Sequence, residues 1–143
     1  MSHLDIPELL ESNVGRAHGK RLVIVSSCIA HDFLENLKEL ISTNDFIVKT
    51  CPEMHHINII GYKIASFISY SNLKDVSVIS VDGSPHCIQL HYIVEDIRKH
   101  FIEFNAEHYV FKRGKITRIS PEVIKLSRHL ARLQKIVSSE QNV

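Results

Sequence analysis

Apolar residues run unbroken through three short stretches of the chain and recur at helical spacing between them. The runs are Arg21–Ser27 (RLVIVSS), Phe46–Thr50 (FIVKT) and Val76–Val81 (VSVISV). Runs rich in β-branched residues and lacking polar alternation predict strands buried on both faces, as in a parallel sheet. The intervening pattern predicts amphipathic helices. Asp32–Ile41 carries Phe33, Leu34, Leu37, Leu40 and Ile41; Ile57–Tyr70 carries Ile60, Ile64, Phe67 and Ile68; Ile88–Phe101 carries Leu90, Ile93, Val94 and Ile97. Gly61 and Ala65 are small enough for close helix packing. Ahead of the first strand, Ile6–Asn13 reads as a short helix and Val14–Lys20 as a connection.

The pattern changes after residue 101. His108–Phe111 and Ile116–Ile119 flank Lys112-Arg113-Gly114-Lys115, which predicts a β-hairpin. Ser120 and Pro121 then read as the N-cap and first residue of a helix. Glu122–Val137 is expected as one helix, with Val123, Leu126, Leu130, Leu133 and Val137 on one face. The order β-α-β-α-β-α, then hairpin and helix, predicts an α/β three-layer sandwich with a mainly parallel sheet and right-handed crossovers. The chain is expected to form a single domain, residues 1–143, with a core over about 6–101 and the C-terminal hairpin and helix over about 106–137.

Composition narrows the function classes. The 143 residues are 44% hydrophobic with a net charge of +1, so no strong field draws the chain to nucleic acid or a membrane surface. Lys125, Arg128, Arg132 and Lys135 lack interleaved aromatics and read as a solvated face, so no nucleic-acid partner is expected. The apolar runs fall short of a membrane span, and the polar N-terminus has no signal-peptide pattern. Both point to a cytoplasmic protein. Three cysteines in such a chain do not form a disulfide framework.

Those cysteines hold the candidate chemistry. Cys28, Cys51 and Cys87 each follow a predicted parallel strand, directly or after a short turn, and parallel strands bring their carboxyl ends to one edge of the sheet. Ligands bind at that edge in open α/β sheets. Histidines stand close by in sequence: His31 near Cys28, His55 and His56 near Cys51, His86 and His91 around Cys87. Thiolate and imidazole are ligands of zinc, and thiolates hold iron–sulfur clusters. The candidate metal ligands are therefore Cys28, Cys51, Cys87, His31, His55 and His86. A metal-free alternative uses Cys87, at a helix N-terminus, as a nucleophile with His86 or His91 as base. His3, His18, His100, His108 and His129 read as surface residues or local hydrogen-bond partners.

With these residues in place, the chain over about residues 6–101 resembles the beta-class carbonic anhydrases. The resemblance rests on LLESN ahead of the first strand, on Cys28 at that strand's end, and on the helix, strand and turn from Ile59 to Cys87. It implies the family's α/β fold, a homodimer, and Cys28 and Cys87 as zinc ligands. The family's histidine position is occupied by Ser84, and its Asp and Arg positions by Ala30 and Asp32. The resemblance therefore implies a zinc protein with altered or lost CO2 hydratase activity, its shell completed by Cys51 and one of His31, His55 or His86. GSPHC followed by HY is also loosely similar to the small iron–sulfur subunits of methanogen-type hydrogenases, which implies an electron-transfer accessory protein as an alternative. Whether the chain is an enzyme is left open; a small-molecule ligand is an expected partner.

Overall fold

A computed structural model describes residues 6–30 and 37–141. Among them a five-stranded sheet runs in the order β2-β1-β3-β4-β5. β1 (Arg21–Ser26), β2 (Asp45–Thr50), β3 (Asp75–Val81) and β4 (Asn105–Lys112) are parallel, and β5 (Lys115–Ile119) returns antiparallel to β4. Two helices connect the strands, α1 (Ile57–Tyr70) from β2 to β3 and α2 (Ile88–His100) from β3 to β4. The chain closes with α3 (Pro121–Leu126) and α4 (Leu130–Gln141).

Strand parity sorts the core into two. Leu22, Ile24, Phe46, Val48, Val76 and Val78 point to one face, where Ile60, Ile64 and Phe67 of α1 and Leu90, Val94 and Ile97 of α2 cover them. Val23, Val25, Ile79 and Tyr109 point to the other face and meet Ile6, Ile29, Ala30 and Leu37. Successive strand residues face opposite sides of a sheet, so two apolar layers follow from unbroken apolar runs. α1 and α2 touch where Gly61 lies against Ile93; a Cβ on Gly61 would come within 2.5 Å of the Ile93 side chain. Arg21 fastens the other end of β1. Its guanidinium donates to both carboxylate oxygens of Asp45, its register partner on β2, at 3.0 and 2.7 Å. It also donates to the Leu40 carbonyl.

Several local expectations are corrected. Ile6–Asn13 is not a helix: Glu8 bridges in parallel to Lys49 at the border of β2, and the backbone of Pro7 and Leu9 takes the two outward hydrogen bonds of Lys49. Of the helix expected over Asp32–Ile41, residues 32–36 lie outside the described residues, and Leu37–Leu40 forms a turn. β4 starts at Asn105 and is a full parallel partner of β3, so the tail's first strand extends the parallel sheet before the hairpin turns back. The expected C-terminal helix is broken at Ser127–His129. No Gly or Pro stands there. Ser127 is instead held sideways, its Oγ donating to the Ile124 carbonyl at 2.7 Å and lying 2.8 Å from the Tyr92 hydroxyl. Arg128 adds a cation–π contact over the Tyr92 ring at 4.3 Å and an ion pair to Asp96 at 3.3 Å. These contacts pin α3 against α2 and let α4 leave in a new direction.

Candidate functional site

The strand order reverses between β1 and β3, and the loops at their carboxyl ends bring the three cysteines to one edge. β1 runs into a turn, in which the Ile29 amide donates to Ser26 O, so Cys28 projects from the turn's exposed side. The Ser27 amide donates to Thr50 O at 2.9 Å and ties this turn to the end of β2. Cys51 follows Thr50 directly and is half-buried; its carbonyl accepts from the amides of Met54 and His55. Cys87 is buried at the start of α2, and its amide donates to Ser84 Oγ at 3.2 Å. Ser84 thus serves as a cap for the turn that opens α2.

The three thiols are electrostatic neighbours. The Cys28 thiol is pushed up from the usual thiol range, first by partial burial, then by the neighbouring Cys87 and Cys51 side chains and by Glu53. Like charges disfavour ionisation in one another. At the same edge the side-chain hydroxyls of Ser26, Ser27 and Thr50 are buried and have no hydrogen-bond partner among the described residues. Such groups are uncommon, because each carries an uncompensated desolvation cost. His55 and His86 are exposed, and His31 lies outside the described residues. Among the described residues no three His, Cys, Asp or Glu side chains stand together as the ligand set of one metal ion.

The other half of the edge holds a polar chain that was not expected from the sequence. Ser80 Oγ, on β3, lies 2.7 Å from His91 Nε2. His91 Nδ1 lies 2.9 Å from His108 Nδ1, and His108 Nε2 lies 2.8 Å from Glu95 Oε2. Arg98 closes the far end, donating to Glu95 at 2.6 and 3.2 Å. Ser80, His91, Glu95 and His108 are all buried, each at most 2% exposed. Burial, then the neighbouring His108, lowers the His91 pKa to about 3. Burial also lowers His108, against the pull of Glu95. For the Glu95 carboxyl, burial acts upward, but hydrogen bonds from Arg98 and His108 outweigh it and hold the group below the usual range. Two neutral imidazoles and one carboxylate allow a single proton arrangement. His108 donates from Nε2 to Glu95 and accepts at Nδ1, His91 donates from Nδ1 and accepts at Nε2, and Ser80 donates its hydroxyl proton to His91.

This arrangement has a bearing on two earlier expectations. His108 is a fully buried member of the chain, not a surface residue. Both ring nitrogens of His91 are engaged, so it has no lone pair free to serve Cys87 as a base. The signal for the chain was present in the sequence: His91 and Glu95 are four apart, on the face of α2 that carries Leu90 and Val94, and buried polar groups require partners. Next to Ser80 and His91 opens a cavity of about 360 Å³. The Asp82–Pro85 turn and apolar residues of β4, β5 and α3 complete its wall.

A parallel sheet whose order reverses beside its first strand, with loops at the carboxyl ends forming the crevice, defines a doubly wound α/β domain. The chain belongs to the Rossmann-like domain family, whose model matches residues 15–142. No curated protein and no solved structure matches significantly. The family match overturns the resemblance to beta-class carbonic anhydrases. It also removes the ground on which a homodimer was expected. The α/β architecture with a mainly parallel sheet was correctly anticipated. No helix among the described residues is long and apolar enough to cross a membrane.

Proposed function

We propose that this Rossmann-like domain carries a thiolate-held metal centre at its carboxyl edge, and that the centre is an iron–sulfur cluster held by Cys28, Cys51 and Cys87. The observation that carries the reading is that the three cysteines follow the carboxyl ends of the adjacent strands β2, β1 and β3, with Cys87 and Cys51 both acting on the Cys28 thiol. A zinc ion needs four ligands at about 2.0–2.3 Å from a single point, and the described side chains do not converge in that way. A cluster distributes its thiolates over several irons, so ligands that are neighbours without converging suit it better. The partnerless hydroxyls of Ser26, Ser27 and Thr50 are donors of the kind that hydrogen-bond to cluster sulfurs and tune the potential. One of His31, His55 or His86 is the candidate for a further ligand. When bound, such a group would supply one-electron transfer.

Anaerobic purification followed by iron, labile-sulfide and zinc analysis tests the reading. A brown protein is expected, with iron and sulfide in matching amounts and visible absorption that bleaches on reduction. Cys28→Ser, Cys51→Ser or Cys87→Ser should each lower the iron content sharply. Colourless protein that also fails to take up iron and sulfide on reconstitution would rule the cluster out. A single equivalent of zinc without iron would do the same, and would assign these thiols to a mononuclear site.

A further inference from the structure

The cavity beside Ser80 shares the Asp82–Pro85 turn with the cysteine edge but has its own chemistry. Its volume of about 360 Å³ falls at the small end of ligand pockets. Val110, Ile119, Val123 and Ile124 give it an apolar wall, into which the Ser80–His91 pair introduces a polar point. The character of that point is set some distance away. Arg98 keeps Glu95 ionised, Glu95 requires a proton from His108, and the requirement passes through His91 to Ser80. If Ser80 turned its hydroxyl proton toward the cavity, two acceptors, Ser80 Oγ and His91 Nε2, would face each other at 2.7 Å. Reversing the whole chain would set a protonless His108 nitrogen against the Glu95 carboxylate at 2.8 Å. Ser80 can therefore offer the cavity only its oxygen lone pairs. An apolar molecule that brings an acceptor leaves this point unmatched, whereas one that brings a donor completes it.

We propose that this cavity binds a small neutral alcohol or phenol, with the apolar body against Val110, Ile119 and Val123 and the hydroxyl donating to Ser80 Oγ. Carboxylates are disfavoured by their lack of a proton to donate and by Asp82 in the same lining. The recognition depends on no metal.

The test uses the full chain with phenol, anisole and toluene as probes, followed by NMR of the valine and isoleucine methyl groups. Phenol is expected to bind about tenfold more tightly than anisole, the difference of one hydrogen bond in an apolar site. Shift changes should centre on Val110, Ile119, Val123 and Ile124. In Ser80→Ala the preference for phenol should fall to within about twofold, while anisole and toluene still bind. Equal binding of phenol and anisole by the wild-type chain would overturn the proposal without recourse to any variant. So would absence of binding by all three probes, or a phenol preference that survives in Ser80→Ala.

Discussion

The two halves of the carboxyl edge handle the same problem in opposite ways. Ser26 and Thr50 close β1 and β2 as register partners, and Ser80 stands near the end of β3, all on the side of the sheet that faces α1 and α2. Each is a buried hydroxyl. Ser80 is tied into a chain that ends on Arg98, whereas Ser26 and Thr50 have no partner among the described residues. A satisfied buried network rigidifies a fold and fixes its own geometry. A row of buried hydroxyls beside three thiols, without partners among the described residues, costs stability. The β3/β4 half thus satisfies its buried polar groups from its own side chains, whereas among the described residues the β1/β2 half does not.

The comparison breaks most readily at Glu95. Glu95→Ala leaves the His108 N–H without an acceptor and Arg98 without its carboxylate, and is expected to cost about 3–5 kcal/mol in urea unfolding. A loss below about 1 kcal/mol would mean that the chain is ornamental. Acid should act on the same half. The folded pKa values of His91 and His108 lie below the unfolded value, so below pH 6.5 the unfolded state takes up more protons. Stability is then full above pH 6.5 and falls on acidification toward the His91 value of about 3. The slope from His91 alone is about 1.4 kcal/mol per pH unit. Denaturation midpoints at pH 7.5, 6, 5 and 4 read this directly, and a flat profile over that range would contradict the buried neutral pair.

Two matched substitutions sharpen the contrast. Ser80→Ala strands His91 Nε2 and should destabilise by about 1–3 kcal/mol. The metal-free Ser26→Ala and Thr50→Val chains should be unchanged or up to about 1 kcal/mol more stable, since each loses an unpaired buried hydroxyl. Opposite signs in thermal melts support the division of the edge; the same sign at all three serine and threonine positions would erase it.

The strands and the two central helices were legible because burial on both sheet faces produces β-branched runs, and burial on one helix face produces a period near 3.6. The gathering of the cysteines was legible for a related reason, because parallel strands share an edge. The Ser80 chain was not read, although His91 and Glu95 stand together on the buried face of α2. Pairing them requires His108, seventeen residues beyond His91, and strand register is not visible in the spacing of one sequence. The break at Ser127 escaped for the same reason: its cause is Tyr92, across the fold on α2. The carbonic anhydrase resemblance drew on the β-α layout, which Rossmann-like domains share in general, and Ser84 proved to bond the Cys87 amide in the turn before α2 where that family has a ligand.

The bridge between Glu8 and Lys49 has a consequence for how the molecule behaves in a crowd. An open sheet offers unpaired backbone groups at its two outer strands, and these invite strand addition from neighbouring chains. Here Lys49 on β2 already exchanges hydrogen bonds with Pro7 and Leu9. At the opposite border, β5 is short and presents exposed Lys115 and Arg118. The Pro7–Leu9 segment therefore removes Lys49 from the backbone groups that a neighbouring chain could pair with.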